Sequence, residues 1–238
     1  MTCHREFQYP FSLDVVSLYT SIEPTEAIQC LEKKLRESNL LIKEMNIENI
    51  TKLLTVILEN TYFTFEQNIY KQVKGLPMGS SISGLLAIIF MDNLERQTLR
   101  TIQPIGFYAR YVDDIFITTK SRKEAEEIFH TFNAAHQDIK FEIEYPEEDG
   151  SLNLLNLRIK IEENTPTYGF YRKPARKEIF MHQRSALPYL QKVHVIRNEK
   201  RRIANRCTEK NENFKEQSNF NKILHRNGYQ GEDIERMN

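Results

Sequence analysis

Residues 107–119 leave the chain little conformational freedom. Residues 107–112 and 115–119 are apolar and β-branched runs that read as strands, and only Asp113 and Asp114 separate them. A connection this short closes only as a tight hairpin, so it carries two carboxylates to its tip. A third acid has a similar setting: Asp14 lies in FSLDVVSL (residues 11–18), a short apolar run read as a buried strand with Asp14 near its end. An ionised carboxylate is costly to bury unpaired, so something positive is expected beside these acids. If the two strands are neighbours in one sheet, Asp14, Asp113 and Asp114 converge on a site suited to Mg2+, which takes few carboxylates together with water and phosphate oxygens. Taken alone, Asp14 is better explained as a strand-end carboxylate bonded to a turn.

The rest of the chain alternates helical and strand periodicities. Pro24, Thr25 and Glu26 start a helix that continues through Ile28, Leu31 and Leu35 to about Ser38, and residues 46–60 form a second amphipathic helix. Residues 62–65 and 69–73 flank Glu66, Gln67 and Asn68 as a hairpin, and a loop with Gly75, Pro77 and Gly79 leads into a long apolar helix over 81–100. A helix is expected over 122–135, strands over 140–145, 152–161 and 167–172, and helices from Leu187 onward. The class is therefore α+β. With 40% apolar residues and only 8 Gly and 8 Pro, the chain is neither collagenous nor wholly disordered. Its longest apolar run, 85–91, falls far short of the roughly 20 residues a membrane helix needs, so no membrane partner is expected. Cys3, Cys30 and Cys207 have neither disulfide nor zinc-ligand spacing, and the N-terminus has no secretory h-region, so an intracellular, reducing setting is expected.

Net charge is zero overall, but it is unevenly placed. Residues 1–171 carry 17 basic and 25 acidic side chains, and residues 172–238 carry 16 and 8. A basic, helix-rich end suits a polyanion through counterion release, although a solvated helical surface explains the same charge. The composition step suggests two parts, residues 1–172 and 173–238.

The segments FSLDVVSLYTSI, GLPMGSSIS and YVDD follow one another in an order similar to that of the palm motifs of reverse transcriptases. FSLDVVSLYTSI (11–22) resembles their motif A, GLPMGSSIS (75–83) motif B and YVDD (111–114) motif C. The SLYT-x-I extension and the PMGS string are similar to Penelope-like element reverse transcriptases, relatives of telomerase. FYRKP (170–174) resembles their motif E, and HRNGY (225–229) the NGY signature near the end of their thumb. The resemblance runs from Phe11 to about Tyr229. It implies a right-hand palm, an antiparallel sheet backed by helices, over 1–172, followed by a mostly helical thumb over 173–238, with the fingers largely absent.

The resemblance also implies residue roles. Asp14 and Asp113 would be catalytic carboxylates holding two Mg2+ ions, for which Mn2+ can substitute, with Asp114 accessory and the Val15 carbonyl completing the metal shell. Tyr19, five residues after Asp14, would reject a 2′-hydroxyl on the incoming nucleotide. Gln72, Gly79 and Ser80 would line the nucleotide or template, and Lys140 would act as general acid on pyrophosphate. Tyr111, Arg172, Lys173, Lys200, Arg201 and Arg202, with Arg176 and Lys177, would track nucleic acid. Partners would be an RNA template, a DNA primer and deoxynucleoside triphosphates, in the nucleus if the chain serves a retroelement. Two departures stand out: SISG (81–84) replaces the usual PLSP after motif B, and Asn156 replaces an Asp. Only 13 residues precede Asp14, so a fingers segment or a nuclease domain is expected to be encoded outside this chain. The reading from a different class is a catalytically silent remnant that binds nucleic acid.

Overall fold

The computed structural model describes residues 7–38, 46–102, 104–162, 165–173 and 179–236. The chain divides into two compact units, Phe11–Glu144, and Tyr145–Asn238 with Met1–Pro10.

The first unit is built on a four-stranded sheet. Its strands are β1 (Tyr9–Val15), β4 (Phe107–Tyr111), β5 (Asp114–Thr119) and β6 (Phe141–Glu144), in the order β4-β5-β1-β6. The hairpin strands β4 and β5 are antiparallel, as are β1 and β6, with Asp14 opposite Glu142. Helices α2 (Pro24–Ser38), α4 (Ser81–Leu99) and α5 (Arg122–Ala134) supply much of the remaining core. Leu86, Met91, Ile115, Ile117 and Phe132 are fully buried, and Phe132 meets Phe141 edge-on at 5.2 Å. Local chemistry sets the boundaries. Asn46 accepts from the Asn49 amide to cap α3 (Ile47–Glu59), and Ser121 accepts from the Glu124 amide to cap α5.

The hairpin expected around residues 66–68 forms between β2 (Tyr62–Phe65) and β3 (Asn68–Lys71), but Asn68 belongs to β3, where it pairs with Phe65. The turn is Glu66 and Gln67, both at positive φ (47° and 64°), as a type I′ turn requires.

In the second unit a three-stranded antiparallel sheet, β7 (Leu152–Leu154), β8 (Leu157–Glu162) and β9 (Thr165–Phe170), is followed by α6 (Tyr189–Arg206), α7 (Lys210–Arg226) and α8 (Gly231–Arg236). The single strand expected over 152–161 is thus two strands, broken at Leu155 (φ 55°) and Asn156. The leucines at 152, 154, 155 and 157 read as one strand and conceal a turn made with Leu155 in the left-handed region. The division between units also falls well before the charge step at residue 172. Phe170 at the end of β9 lies in one buried cluster with Val193, Ile196 and Ile203 of α6 and Phe220 and Leu224 of α7, which joins the small sheet to the helices. Tyr229, in the NGY string, is 1% exposed in the same cluster, just after Gly228 at φ 87° reverses the chain.

Candidate active site

Every motif A, B and C residue lies in the first unit, so the geometry can be built there alone. Asp14 is exposed between buried Leu13 and Val15. One strand over, Tyr111 pairs with Asp114, which leaves Val112 and Asp113 as a two-residue turn. The Val15 amide donates to the Asp113 carbonyl (3.2 Å), and the Val16 amide donates to Lys140 on the other edge of the strand (2.8 Å). The first of these bonds places the turn directly beside the residue that follows Asp14. An extended residue directs its N–H and C=O to the same edge, so the Val15 carbonyl faces the turn as well.

The turn is strained. Val112 has φ 58°, and a β-branched residue there costs on the order of 1–3 kcal/mol. Two bonds hold it: the Val15 amide on Asp113, and Arg110 Nη1, which donates to the Val112 carbonyl (3.0 Å). Arg110 Nε also donates to Glu95 Oε1 on α4, and both side chains are nearly buried, at 12% and 11% exposed. Burial raises the Glu95 carboxyl above its ordinary range, opposed by the Arg110 charge, and burial with the neighbouring Glu95 charge raises the Tyr108 phenol strongly.

The loop before α4 is built around close backbone approach. Gly75 has φ 78°, and a Cβ there would sit 2.6 Å from Thr20 Cα. The neighbouring Leu76 amide donates to the Tyr19 carbonyl (2.7 Å), which joins this loop to α1 (Leu18–Ser21) just after β1. Tyr19 is half-buried, with its hydroxyl 4.0 Å from the position of a Cβ on Gly84. The departure from proline at residue 84 therefore leaves room beside that ring. Gly79, at φ 90°, has open space on its Cβ side, and Ser80 precedes α4 without making a side-chain capping bond.

Two expected site residues have work elsewhere. Gln72 Nε2 donates to the carbonyls of Lys74 (2.9 Å) and Gly75 (3.0 Å), bracing the loop. Lys140 Nζ donates to the carbonyls of Asn133 and His136 (both 3.2 Å), the C-terminal end of α5, where a cation is favoured. Tyr111 is exposed. Among the described residues no three His, Cys, Asp or Glu side chains form a metal-holding group. Sequence reading missed Arg110 and Glu95. For Arg110 a signal was available, since it is the one charge in an otherwise aromatic and apolar strand; Glu95 stands among other charged and polar residues of α4, so its burial was not marked in the sequence.

In the second unit, Arg172 pairs with Glu216 (3.1 Å) and Arg202 with Glu199 (2.5 Å), and both guanidinium groups lie over Phe170 at 5.0 and 5.3 Å. These two arginines help hold their unit together. Lys173 and Arg201 are exposed, while Lys200 is half-buried and its ammonium is pushed down by burial. Arg176 and Lys177 lie outside the described residues.

Residues 2–145 match the family described as reverse transcriptase (RNA-dependent DNA polymerase). The chain belongs to this family. Residues 179–237 of this reverse transcriptase family member match a second model, the animal helix-turn-helix domain, over α6 to α8. Similar proteins include the telomerase reverse transcriptases of Oryzias latipes, 29% identical over 75 residues and 32% of this chain, and of Oxytricha trifallax, 31% identical over 78 residues and 29% of this chain. The match spans 7% of the length of each. Solved structures share the fold: telomerase from Candida albicans in complex with a fragment of telomeric RNA has a TM-score of 0.57 at 10% identity, covering 84% of this chain and 36% of that one. Apo telomerase from Candida tropicalis truncated from its C-terminal domain gives 0.52 at 13% identity, covering 66% and 35%.

Proposed function

We propose that the chain is the RNA-directed DNA polymerase domain of a Penelope-like, telomerase-related retroelement, extending a DNA primer on an RNA template from deoxynucleoside triphosphates, in the nucleus. The observation that carries this is the Val15 to Asp113 hydrogen bond, which brings the strand bearing Asp14 against the turn bearing Asp113. Asp14 is exposed, and the Asp113 carboxylate has no hydrogen-bond or ion-pair partner among the described residues. Two carboxylates and one backbone carbonyl are a donor set that fits Mg2+ better than an all-protein cage does. Asp14, Asp113 and the Val15 carbonyl would hold the metal, with Asp114 accessory, and two bound Mg2+ ions supply activation of the primer hydroxyl and neutralisation of the leaving pyrophosphate.

The protein's own part is positioning. Gly75 and Gly79 let the loop backbone come close to a base pair, and Ser80 presents a hydroxyl at the start of α4. Tyr19, fixed through its carbonyl to that loop, offers a ring edge against the sugar, which favours deoxyribonucleotides. Exposed Lys173 and Arg201 in the second unit supply phosphate contacts.

The test is extension of a DNA primer on RNA by the wild-type chain and by Asp113→Asn, with hybrid binding measured alongside. Losing metal stabilisation worth several kcal/mol should slow Asp113→Asn by about 10³-fold while its binding is retained. Equal extension by both proteins would overturn the assignment. Salt-sensitive binding with no extension by either would favour a nucleic-acid-binding remnant.

A further inference from the structure

We infer that Arg110 is the positioning residue of the aspartate turn: it ties the carbonyl of strained Val112 to α4 through Glu95, and so fixes where Asp113 sits. Four observations carry this. Val112 is held at φ 58°, a conformation that a β-branched residue leaves unless restrained. Arg110 Nη1 binds the carbonyl of that same residue at 3.0 Å. Arg110 Nε binds Glu95, which lies on a buried turn of α4 beside Leu94. The pair is almost entirely shielded from water, so neither end is free to exchange its partner for solvent.

The guanidinium is the one side-chain group suited to this task. Its planar fork directs two donors along fixed, different directions, one to a carboxylate and one to a carbonyl two residues along the chain. A lysine offers a single point of charge and cannot satisfy both in a set geometry. A buried ion pair is weak evidence for stability alone, since apolar replacements of similar volume are often as stable. Here the pair has a further bond, to the turn next to the proposed metal ligand. The functional consequence rests on reading Asp113 as catalytic, whereas the structural consequence does not.

The Val15 amide gives a direct readout, because it donates to Asp113 while the adjacent Val16 amide donates to Lys140 on the opposite edge. Amide exchange of both is measured in the full chain for wild type, Arg110→Lys and the double variant Glu95→Met with Arg110→Met. The double variant avoids leaving one buried charge unpaired. Both variants should exchange Val15 at least tenfold faster with Val16 within about twofold, since the Val16 bond does not involve the turn. Val15 exchange equal to wild type in the double variant would overturn the inference, as would acceleration shared equally by Val16. The measurement needs neither metal nor nucleotide, so failure of wild type to extend a primer would count against the polymerase assignment and leave this result standing. Where wild type does extend, kcat should fall at least tenfold in Arg110→Lys while KM for the nucleotide holds. A raised KM with kcat unchanged would overturn a role in placing Asp113.

Discussion

Gly75 and Gly79 lie in the same loop, both at positive φ, yet they answer to different constraints. A methyl group at residue 75 would meet the Thr20 backbone at 2.6 Å, whereas one at residue 79 meets nothing within 4 Å. Gly79→Ala should therefore cost only the left-handed conformation, about 1–2 kcal/mol, and Gly75→Ala clearly more, because the contact between the loop and α1 must open. Urea unfolding of the two variants checks this, and equal losses would contradict it. Tyr19 immediately precedes Thr20 in that contact and its carbonyl bonds Leu76, so Tyr19→Ala should raise ribonucleotide incorporation at least tenfold in any preparation that extends a primer; unchanged discrimination would place the sugar gate elsewhere. The approach of β1 to the Val112–Asp113 turn was foreshadowed in the sequence, where Asp14 is a charge in an apolar run and Asp113 lies in the short link between two strands. The hydrogen bonds that Gln72 and Lys140 make were not legible. Their partners are backbone carbonyls, which no residue pattern announces, and both amide and ammonium groups serve a loop or a helix end as readily as a substrate.

At the level of elements, α2 and α4 are joined by a small charge network in which Asp92 accepts from Lys34 and from Arg96 (3.1 Å). The Lys34 hydrogen bond is the main reason that the Asp92 carboxyl lies below its usual range, with Arg96 adding to it and burial opposing. The folded protein thus holds this proton less tightly than the unfolded chain. Its stabilisation is fully present above the ordinary aspartate range and is lost as pH falls through the lower, folded value. All three side chains keep substantial exposure, so screening limits the effect. Asp92→Asn should lose about 0.5–1 kcal/mol near pH 7, a gap that closes toward pH 3 in urea titrations. A gap that widens on acidification would contradict the sign. Element type was largely readable, since α2 shows helical spacing after Pro24 and α4 is a long apolar stretch after the loop of Gly75 and Gly79. The turn drawn one residue too long, at Glu66 and Gln67, and the turn not expected, at Leu155 and Asn156, use left-handed backbone without the glycine that signals it.

For the molecule as a whole, charge and packing divide the chain at different points. The basic step near residue 172 is a property of composition, while the compact units part after Glu144, because Phe170 is buried with α6 and α7. Composition reports where a polyanion would bind and is blind to which strand fills which core. The catalytic proposal concentrates in the first unit, on one junction between β1 and the hairpin turn. Iron-mediated cleavage tests that junction most directly: with hydrogen peroxide and ascorbate added, Fe2+ bound in place of Mg2+ gives one electron to peroxide, releasing hydroxide and a hydroxyl radical that cuts only the nearby backbone, and ascorbate reduces the Fe3+ back. Two carboxylates sharing one metal site predict cleavage near both residue 14 and residue 113, suppressed together by Mg2+ and abolished at both places by Asp14→Asn or by Asp113→Asn alone. Cleavage at one place that survives loss of the other aspartate would contradict a shared site.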